Sequence, residues 1–241
     1  MAVTITDGVA AASSSGARTL AELVARWRLR LDDNSSPYLW SNQELTDYMN
    51  VCINSLCREI PIIEDATTAS ICQVAVSIGS EILSISDRIV WLKRAKLDSD
   101  TRPLSFASVD YMDQNIDDWE DAAGADVQYL ITDGVGTDKV RIYPPSLVTD
   151  TLRLSVVRLP LADMVYASDS ASVPEIPSKY QDLLDNGVMY YAYLKQDTDT
   201  MDMKKADYHL GLWKKNLEEI KRSMVKYAHR EHVVAPHTAF S

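Results

Sequence analysis

The spacing of hydrophobic residues predicts helices near both ends of the chain. Apolar side chains recur three and four positions apart over residues 19–31, 41–59, 178–197 and 201–228, which is the period of one face of an α-helix. Three of these segments begin with the form S/T-x-x-E/Q, in which two side chains cap free backbone N–H groups reciprocally. These candidate capping boxes span residues 19–22, 41–44 and 178–181.

The last of these helices carries a regular apolar seam. Its members step alternately by four and three positions: Ala206, Leu210, Trp213, Leu217, Ile220, Met224 and Tyr227. A seam of about three heptads is at the threshold for a coiled coil. A single helix lying along the groove of a helix bundle has the same pattern and is the simpler interpretation.

Between the two helical parts the hydrophobic period changes to two, which is typical of β-strands. Residues 127–132 and 139–143 flank a glycine-bearing loop that suits a hairpin. We therefore predict an α+β fold, a helix bundle built from N- and C-terminal helices with an inserted antiparallel β-module. The predicted boundaries are 1–17 for an N-terminal arm, 18–65 and 175–230 for the bundle, 66–174 for the β-module and 231–241 for a C-terminal tail.

Composition narrows the class of protein. Hydrophobic residues at 46% and charged residues at 24% are typical of a globular chain. The 35 acidic residues outnumber the 24 basic ones and give a net charge of −11, which argues against a protein that mainly grips phosphate backbones. The longest apolar run, residues 188–194, is too short to span a membrane. Three cysteines, Cys52, Cys57 and Cys72, fit buried free thiols better than a disulfide framework.

No motif in the sequence indicates catalysis. The D-x-D spacings at residues 98–100 and 197–199 lack the glycine and glutamate of a calcium loop. The glycines at 134 and 136 belong to the predicted hairpin, and His229-x-x-His232 has no cysteine beside it. We therefore predict no catalytic residue, no metal site and no cofactor, and a protein that is not an enzyme.

The charges are distributed unevenly along the chain. Residues 98–126 contain nine acidic residues and one basic residue, whereas residues 201–230 contain eight basic and four acidic residues. The basic helix and the tail after it are predicted to form a docking element; a solvated helix face with a frayed end is the alternative. The candidate interface residues are Lys214, Lys221, Arg222, Lys226, His229, Arg230, His232, Val233, Val234 and Phe240.

Four pieces of sequence, in this order, resemble one protein family. They are the helix over 20–30 with Trp40-Ser41-x-x-Glu44-Leu45-x-x-Tyr48-x-Asn50, the strand ending Arg141-Ile142-Tyr143-Pro144-Pro145, the segment Leu152-x-Leu154-x-Val156-x-Arg158-Leu159-Pro160, and Pro174-x-Ile176-Pro177-x-x-Tyr180. The chain is similar, over residues 18–230, to the head-to-tail adaptor (connector) proteins of short-tailed bacteriophages, the tail tubular protein A-like proteins.

The resemblance implies a structural virion protein with a helix bundle that carries a β-domain. Such adaptors assemble in the host bacterial cytoplasm as a ring, typically of twelve copies, between the capsid portal and the tail nozzle protein. DNA passes through the lumen without sequence-specific binding, and no membrane or cofactor is involved. The alternatives are a tail tube or nozzle subunit and, with less support, an uncharacterised enzyme or nucleic-acid-binding module.

The C-terminal tail leads to a specific expectation. The apolar seam stops at Tyr227 and Pro236 prevents simple continuation of a helix, yet Val233, Val234 and Phe240 are apolar. We expect residues 229–241 to be disordered in the free subunit and to become ordered against the portal, where these side chains offset the entropy of ordering.

Overall fold

The computed structural model describes residues 16–231, with side chains as far as residue 224. Its helices, in chain order, are α1 (Leu20–Leu31), α2 (Asn42–Glu59), α3 (Ala69–Cys72), α4 (Val109–Asn115), α5 (Tyr166–Asp169), α6 (Ser178–Tyr193) and α7 (Met203–Glu231), with a 3-10 helix at Trp119–Asp121. Its strands are β1 (Glu64–Asp65), β2 (Gln73–Val76), β3 (Ile82–Ser84), β4 (Ile89–Leu97), β5 (Ser105–Ala107), β6 (Tyr129–Ile131), β7 (Lys139–Tyr143) and β8 (Asp150–Arg158). The predicted α+β class, with helices at both ends, is confirmed.

Two of the three predicted capping boxes form. Glu22 N–H donates to Thr19 Oγ1 at 3.3 Å while Thr19 N–H donates to Glu22 Oε2 at 2.8 Å. At α2 the corresponding bonds join Ser41 and Glu44, at 3.1 Å and 2.6 Å. Each pair satisfies two N–H groups that the first helical turn leaves without a partner.

The third predicted capping box is wrong. The residue before α6 is Pro177, and no side chain caps the helix. Gln181 is fully buried instead, where its Oε1 accepts from Arg18 N–H at 2.9 Å and its Nε2 donates to Arg18 O at 3.3 Å. The amide therefore fastens the chain before α1 to α6, because a buried side chain must find partners where it lies.

The two C-terminal helices have different limits from those predicted. α6 ends at Tyr193, four residues before the predicted end, and α7 continues to Glu231 rather than 228. Residues 228–231, Ala-His-Arg-Glu, contain neither proline nor glycine, and alanine, arginine and glutamate favour helix. The first three residues of the segment expected to be disordered, 229–231, are thus helical.

Contacts divide the chain into two compact units. Of the described residues, the first unit contains those up to Cys52 and from Met164 onward, and the second contains Ile53–Asp163. In the first unit the indole of Trp40 donates to Ala192 O at 3.0 Å, and Asn50 exchanges two hydrogen bonds with the backbone of Met164. The domain boundaries predicted from the hydrophobic period stay a prediction, since a change of period and a division of contacts measure different properties.

The second unit contains two four-stranded sheets. β8 is central in one sheet, with β4 on one side and β1 and β2 on the other, all antiparallel. The other sheet has the order β3-β7-β6-β5, in which β6 and β7 form the predicted hairpin. Their shared core is aliphatic and includes Val76, Ala95, Leu130, Ile142 and Leu154.

One strand pair departs from the predicted antiparallel pattern. β5 pairs with β6 in parallel, with Phe106 opposite Leu130. The acidic stretch between them contains α4 and the 3-10 helix, and such a crossover is the connection that a parallel pair requires. Met112 and Trp119 are buried beside Ile131 in a small core of their own, which holds this connection against β6.

A buried ion pair joins β1 to β8. Arg158 Nε donates to Asp65 Oδ2 at 2.6 Å, and the N–H groups of Thr67 and Thr68 donate to Asp65 Oδ1 at 2.8 Å and 3.0 Å. Burial raises the pKa of Asp65, but these hydrogen bonds outweigh it and hold the pKa below its ordinary value. The carboxylate is therefore ionised and fixes the entry into the β-module.

Candidate interaction surface

α7 is anchored to the first unit along one face. Ala206, Trp213 and Leu217 are buried, at spacings of seven and four residues, and α7 packs mainly against α6. Gly187 of α6 permits this close packing, because a Cβ there would lie 2.5 Å from Cys52 Sγ and 3.1 Å from the Trp213 ring. The seam is thus used within the subunit up to Leu217, as a helix in a bundle uses it.

A charged network, not predicted from the sequence, holds α1 on α6. Asp185 is 1% exposed and accepts from the indole of Trp27 at 2.8 Å, while Arg26 and Arg30 approach its Oδ2 at 2.6 Å and 2.9 Å. Arg26 also pairs with Asp182. The signal in the sequence was the spacing of Arg26 and Arg30, which puts both guanidiniums on one side of α1. This network fastens α1 to α6.

The beginning of α7 is fixed by polar contacts. Asp202 Oδ1 accepts from Lys205 N–H at 3.1 Å, and the Lys205 ammonium lies 5.0 Å from the centre of the Tyr193 ring. His209 Nδ1 lies 3.1 Å from Asn186 Oδ1 on α6, with its ring stacked on Tyr193. Burial lowers the pKa of His209, and the charges of Arg30 and Lys205 lower it further. The imidazole is therefore neutral at pH 7.

The opposite face of α7 is polar, aromatic and basic. Lys204, Tyr208, Lys215 and Arg222 are exposed and recur at helical spacing, with Gly211 between them on the same side. We call these five residues the α7 ridge. Among the residues that the structure describes, the side chains of Lys204, Lys215 and Arg222 have no ion-pair partner within 4.0 Å. The ridge thus presents three exposed cations, with the exposed Glu218 and Glu219 between Lys215 and Arg222 along the helix.

The predicted interface residues fall into three groups. Lys214 and Arg222 are exposed on α7, and Lys221 is half-buried and pairs with Glu218 at 3.5 Å. Lys226, His229 and Arg230 belong to the last turns of α7, but their side chains lie outside the described residues. His232, Val233, Val234 and Phe240 lie entirely outside them, as does the N-terminal arm before Gly16. Their interface role stays a prediction.

The apolar seam continues past the packed part of α7. Ile220 and Met224 follow Leu217 in the seam, yet both are only half-buried. Apolar side chains on this stretch therefore have contact area that the described part of the subunit does not cover. Together with Arg222 they make the C-terminal half of α7 a candidate contact surface, since interfaces combine an apolar centre with a charged rim.

The acidic stretch forms an exposed surface on the β-module. Asp110, Asp117, Asp118 and Asp121 are exposed on α4 and around the 3-10 helix. Two of their acidic neighbours are engaged within the unit: Asp113 accepts from the Trp119 indole at 2.7 Å, and Glu120 lies 3.5 Å from Arg141. The buried Met112 and Trp119 hold this segment in place, so its charges have fixed positions.

Two of the clefts on the β-module are larger than a few water molecules. One, of about 280 Å³, is lined by residues such as Asp100, Asp126 and Leu147, and the other, of about 310 Å³, by residues such as Trp91, Phe106 and Lys139. Ser99 and Asp100 line the first cleft, and the Ser99 hydroxyl donates to Asp150 at 2.6 Å. Over the described part of the chain, no group of three or more histidine, cysteine or acidic residues could hold a metal ion. Cys52, Cys57 and Cys72 are buried and belong to no disulfide among the described residues, as predicted.

The arrangement of elements agrees with one known family. The family model described as SU10 adaptor protein matches residues 18–236, which is most of the chain. The chain belongs to the SU10 adaptor protein family. No curated protein matches it. The adaptor motifs recognised in the sequence cover nearly the same residues, and the predicted resemblance to a phage head-tail adaptor is confirmed.

Membership gives the adaptor its general function. It is a structural adaptor of bacteriophages, which associates with other head or tail proteins of the virion, and proteins of this kind are generally not enzymes. Of the helices described, none is both long enough and apolar enough to cross a bilayer. The candidate functional site is therefore a surface that binds other proteins.

Proposed function

We propose that this adaptor forms a ring, of twelve copies, that joins the capsid portal to the short tail and gives DNA a passage during genome ejection. The observation that carries the proposal is α7, a helix of 29 residues with exposed lysine and arginine side chains along its ridge, on a protein with a net charge of −11. Opposite charges on two surfaces of one chain favour association between copies in a fixed orientation.

A ring is the expected assembly if the contact between copies joins two different surfaces of the subunit. When different surfaces of identical subunits meet, the contact is heterologous, and repeated copies close into a ring if the rotation between them permits. The basic α7 and the acidic β-module are different surfaces. Their attraction builds a ring when each copy uses these two surfaces to contact two different neighbours.

The acidic charge of the chain suits a passage for DNA. A lumen rich in lysine and arginine would bind the phosphate backbone, with an affinity that rises with each neutralised phosphate. A net charge of −11 opposes such binding. The ring would therefore conduct DNA without holding it.

Portal binding is assigned to the end of α7 and the residues after it. This segment contains the candidate interface residues His229, Arg230, His232, Val233 and Phe240. Ile220 and Met224 extend the apolar surface toward it. Apolar anchors with flanking cations provide the contact area that a docking segment needs to offset its loss of conformational entropy.

Cosedimentation with purified portal rings tests this function. We expect the full chain to sediment with the portal and negative-stain images to show a second ring beneath it. A chain that ends at Glu231 should lose most of this binding while keeping its thermal unfolding temperature, since the deletion leaves α7 intact.

Two outcomes contradict the proposal in different ways. If the full chain binds a nozzle protein but not the portal, the adaptor is a tail component and not the connector. If the shortened chain binds the portal as well as the full chain does, the tail is not the portal contact. The N-terminal arm, residues 1–17, is then the next segment to remove.

A further inference from the structure

Gly211 lies near the middle of the outer side of α7, where the subunit gives no reason for a glycine. A Cβ built there meets no atom within 4 Å among the described residues. Glycine in a helix interior costs roughly 0.5–1 kcal/mol relative to alanine. Gly187 differs, because its neighbours Cys52 and Trp213 leave no room for a side chain. The absence of a side chain at 211 lets another molecule approach the α7 backbone closely.

The residues around Gly211 have the composition of a protein contact. Tyr208 is 64% exposed and lies one turn before the glycine. Lys204 lies one turn before Tyr208, and Lys215 lies one turn after Gly211. Arg222 continues the same row two turns after Lys215. A large amphipathic aromatic beside a small residue, flanked by cations, fits a partner surface that is acidic and contains an aromatic or apolar centre.

The chain itself carries such a surface. On the acidic segment of the β-module, residues 110–121, Asp110, Asp117 and Asp121 are exposed, and so is Tyr111, at 44%. None of these three carboxylates has an ion pair with another described residue. The segment is held by its own buried residues, so that little entropy is lost when it binds.

We infer that the α7 ridge of one copy packs against the acidic segment, residues 110–121, of the neighbouring copy. The inference rests on the proposed ring and specifies the contact that closes it. Lys204, Lys215 and Arg222 face carboxylates of the neighbour, and Gly211 lets the neighbour's segment reach the helix backbone. The end of α7 and the tail then remain available for the portal.

A charge exchange tests the pairing. One variant carries Lys215→Glu with Arg222→Glu, and the other carries Asp117→Lys with Asp121→Lys. Each variant alone places like charges opposite each other, so we expect its ring association to be weakened about tenfold or more. Mass photometry of the full chain measures the fraction of protein in rings.

Two combinations should restore the rings. In an equal mixture of the two variants, each ridge meets a segment of opposite charge on the other variant, and rings of alternating copies form. A single chain that carries all four substitutions also has opposite charges on its two surfaces and should form rings alone. Restoration shows that each substituted chain still folds.

The control variant carries Lys179→Glu with Arg58→Glu. It changes the net charge by the same amount as Lys215→Glu with Arg222→Glu does, but at exposed positions outside the ridge. It should form rings like the unmodified chain. Gly211→Leu tests the close approach: we expect an unfolding temperature at least as high as that of the unmodified chain, with loss of rings.

The outcomes separate this contact from the function it serves. If the charge-reversed variants form rings like the unmodified chain, or if neither combination restores them, the pairing of ridge and acidic segment is wrong while the connector function stands. If the unmodified chain forms no ring, alone or with portal rings, the proposed function and this contact fall together.

Discussion

Single residues decide how closely the helices of the first unit pack. Gly187 and Gly211 both lie inside helices, yet only Gly187 is enclosed by its neighbours. Helix propensity penalises the two glycines equally, so their different roles come from the surroundings of each one. His209 is a similar case, because its half-buried position beside Asn186 and two cations sets its protonation.

Gly187→Ala should destabilise the subunit. The added Cβ would stand 2.5 Å from Cys52 Sγ and 3.1 Å from the Trp213 ring, and relieving such overpacking typically costs about 1–3 kcal/mol. Urea denaturation followed by tryptophan fluorescence measures the free energy of unfolding. Gly211→Ala is the matched control and should leave stability unchanged or raise it. Equal losses in both variants would show that the packing of α6 on α7 is not as close as described.

His209 should make stability depend on pH. Its pKa is lowered in the folded state, so the unfolded chain takes up a proton at a pH where the folded chain does not. The contribution of His209 to the free energy of unfolding is therefore largest above the ordinary histidine pKa of about 6.5. It is lost as the pH decreases from there through the lowered pKa. Thermal unfolding at several pH values between neutral and mildly acidic should show a smaller decrease for His209→Gln. Identical decreases would assign the effect to other groups.

At the scale of elements, local sequence predicts a helix better than it predicts how the helix begins. α1 and α2 start with reciprocal capping boxes, whereas Ser178 and Gln181 have the same pattern without that geometry. The difference arises because Gln181 is buried against Arg18. A tertiary hydrogen bond replaces the local one.

Thr19→Ala and Ser178→Ala should therefore differ. Loss of the Thr19 hydroxyl removes an N-cap of α1 and should lower the free energy of unfolding by about 1 kcal/mol. Ser178 is exposed and caps nothing, so its replacement should change stability by less than about 0.5 kcal/mol. Chemical denaturation of the two variants side by side measures both values, and a larger loss for Ser178→Ala would contradict the assignment.

On the scale of the whole molecule, charge is separated between elements rather than mixed. Residues 201–230 contain eight basic and four acidic residues, and the acidic stretch 98–126 contains nine acidic residues and one basic residue. Separation of this kind favours association of copies with one orientation. The proposed ring should therefore depend on the surrounding salt.

Ring assembly should weaken as salt increases. Raising the salt from about 0.1 M to about 1 M shortens the screening length from about 10 Å to about 3 Å, which reduces the attraction between the α7 ridge and the acidic segment. The ring fraction measured by mass photometry should fall accordingly and return after dilution into low salt. Rings that are indifferent to salt would indicate an apolar contact, centred on residues such as Ile220 and Met224, instead of a charged one.

The order of hydrophobic periods along the chain predicts much of the fold. Periods of 3.6, two and 3.6 residues predicted helices, strands and helices in the order observed, because both backbone forms impose their period on any chain that buries one face. The hairpin of β6 and β7 followed from local glycines, and the motif order led to the adaptor family.

Tertiary structure alone decided which polar residues are used inside the subunit. Asp185 and Gln181 have no local signal for burial, since their partners Trp27, Arg30 and Arg18 are more than a hundred positions away. The parallel pairing of β5 with β6 is likewise a long-range choice, made by the packing of Met112 and Trp119 under the crossover. The sequence by itself determined the elements and their order, because these depend on neighbouring residues. The partners of buried charges, and the surface of α7 that remains available to other chains, depend on which distant residues the fold brings together.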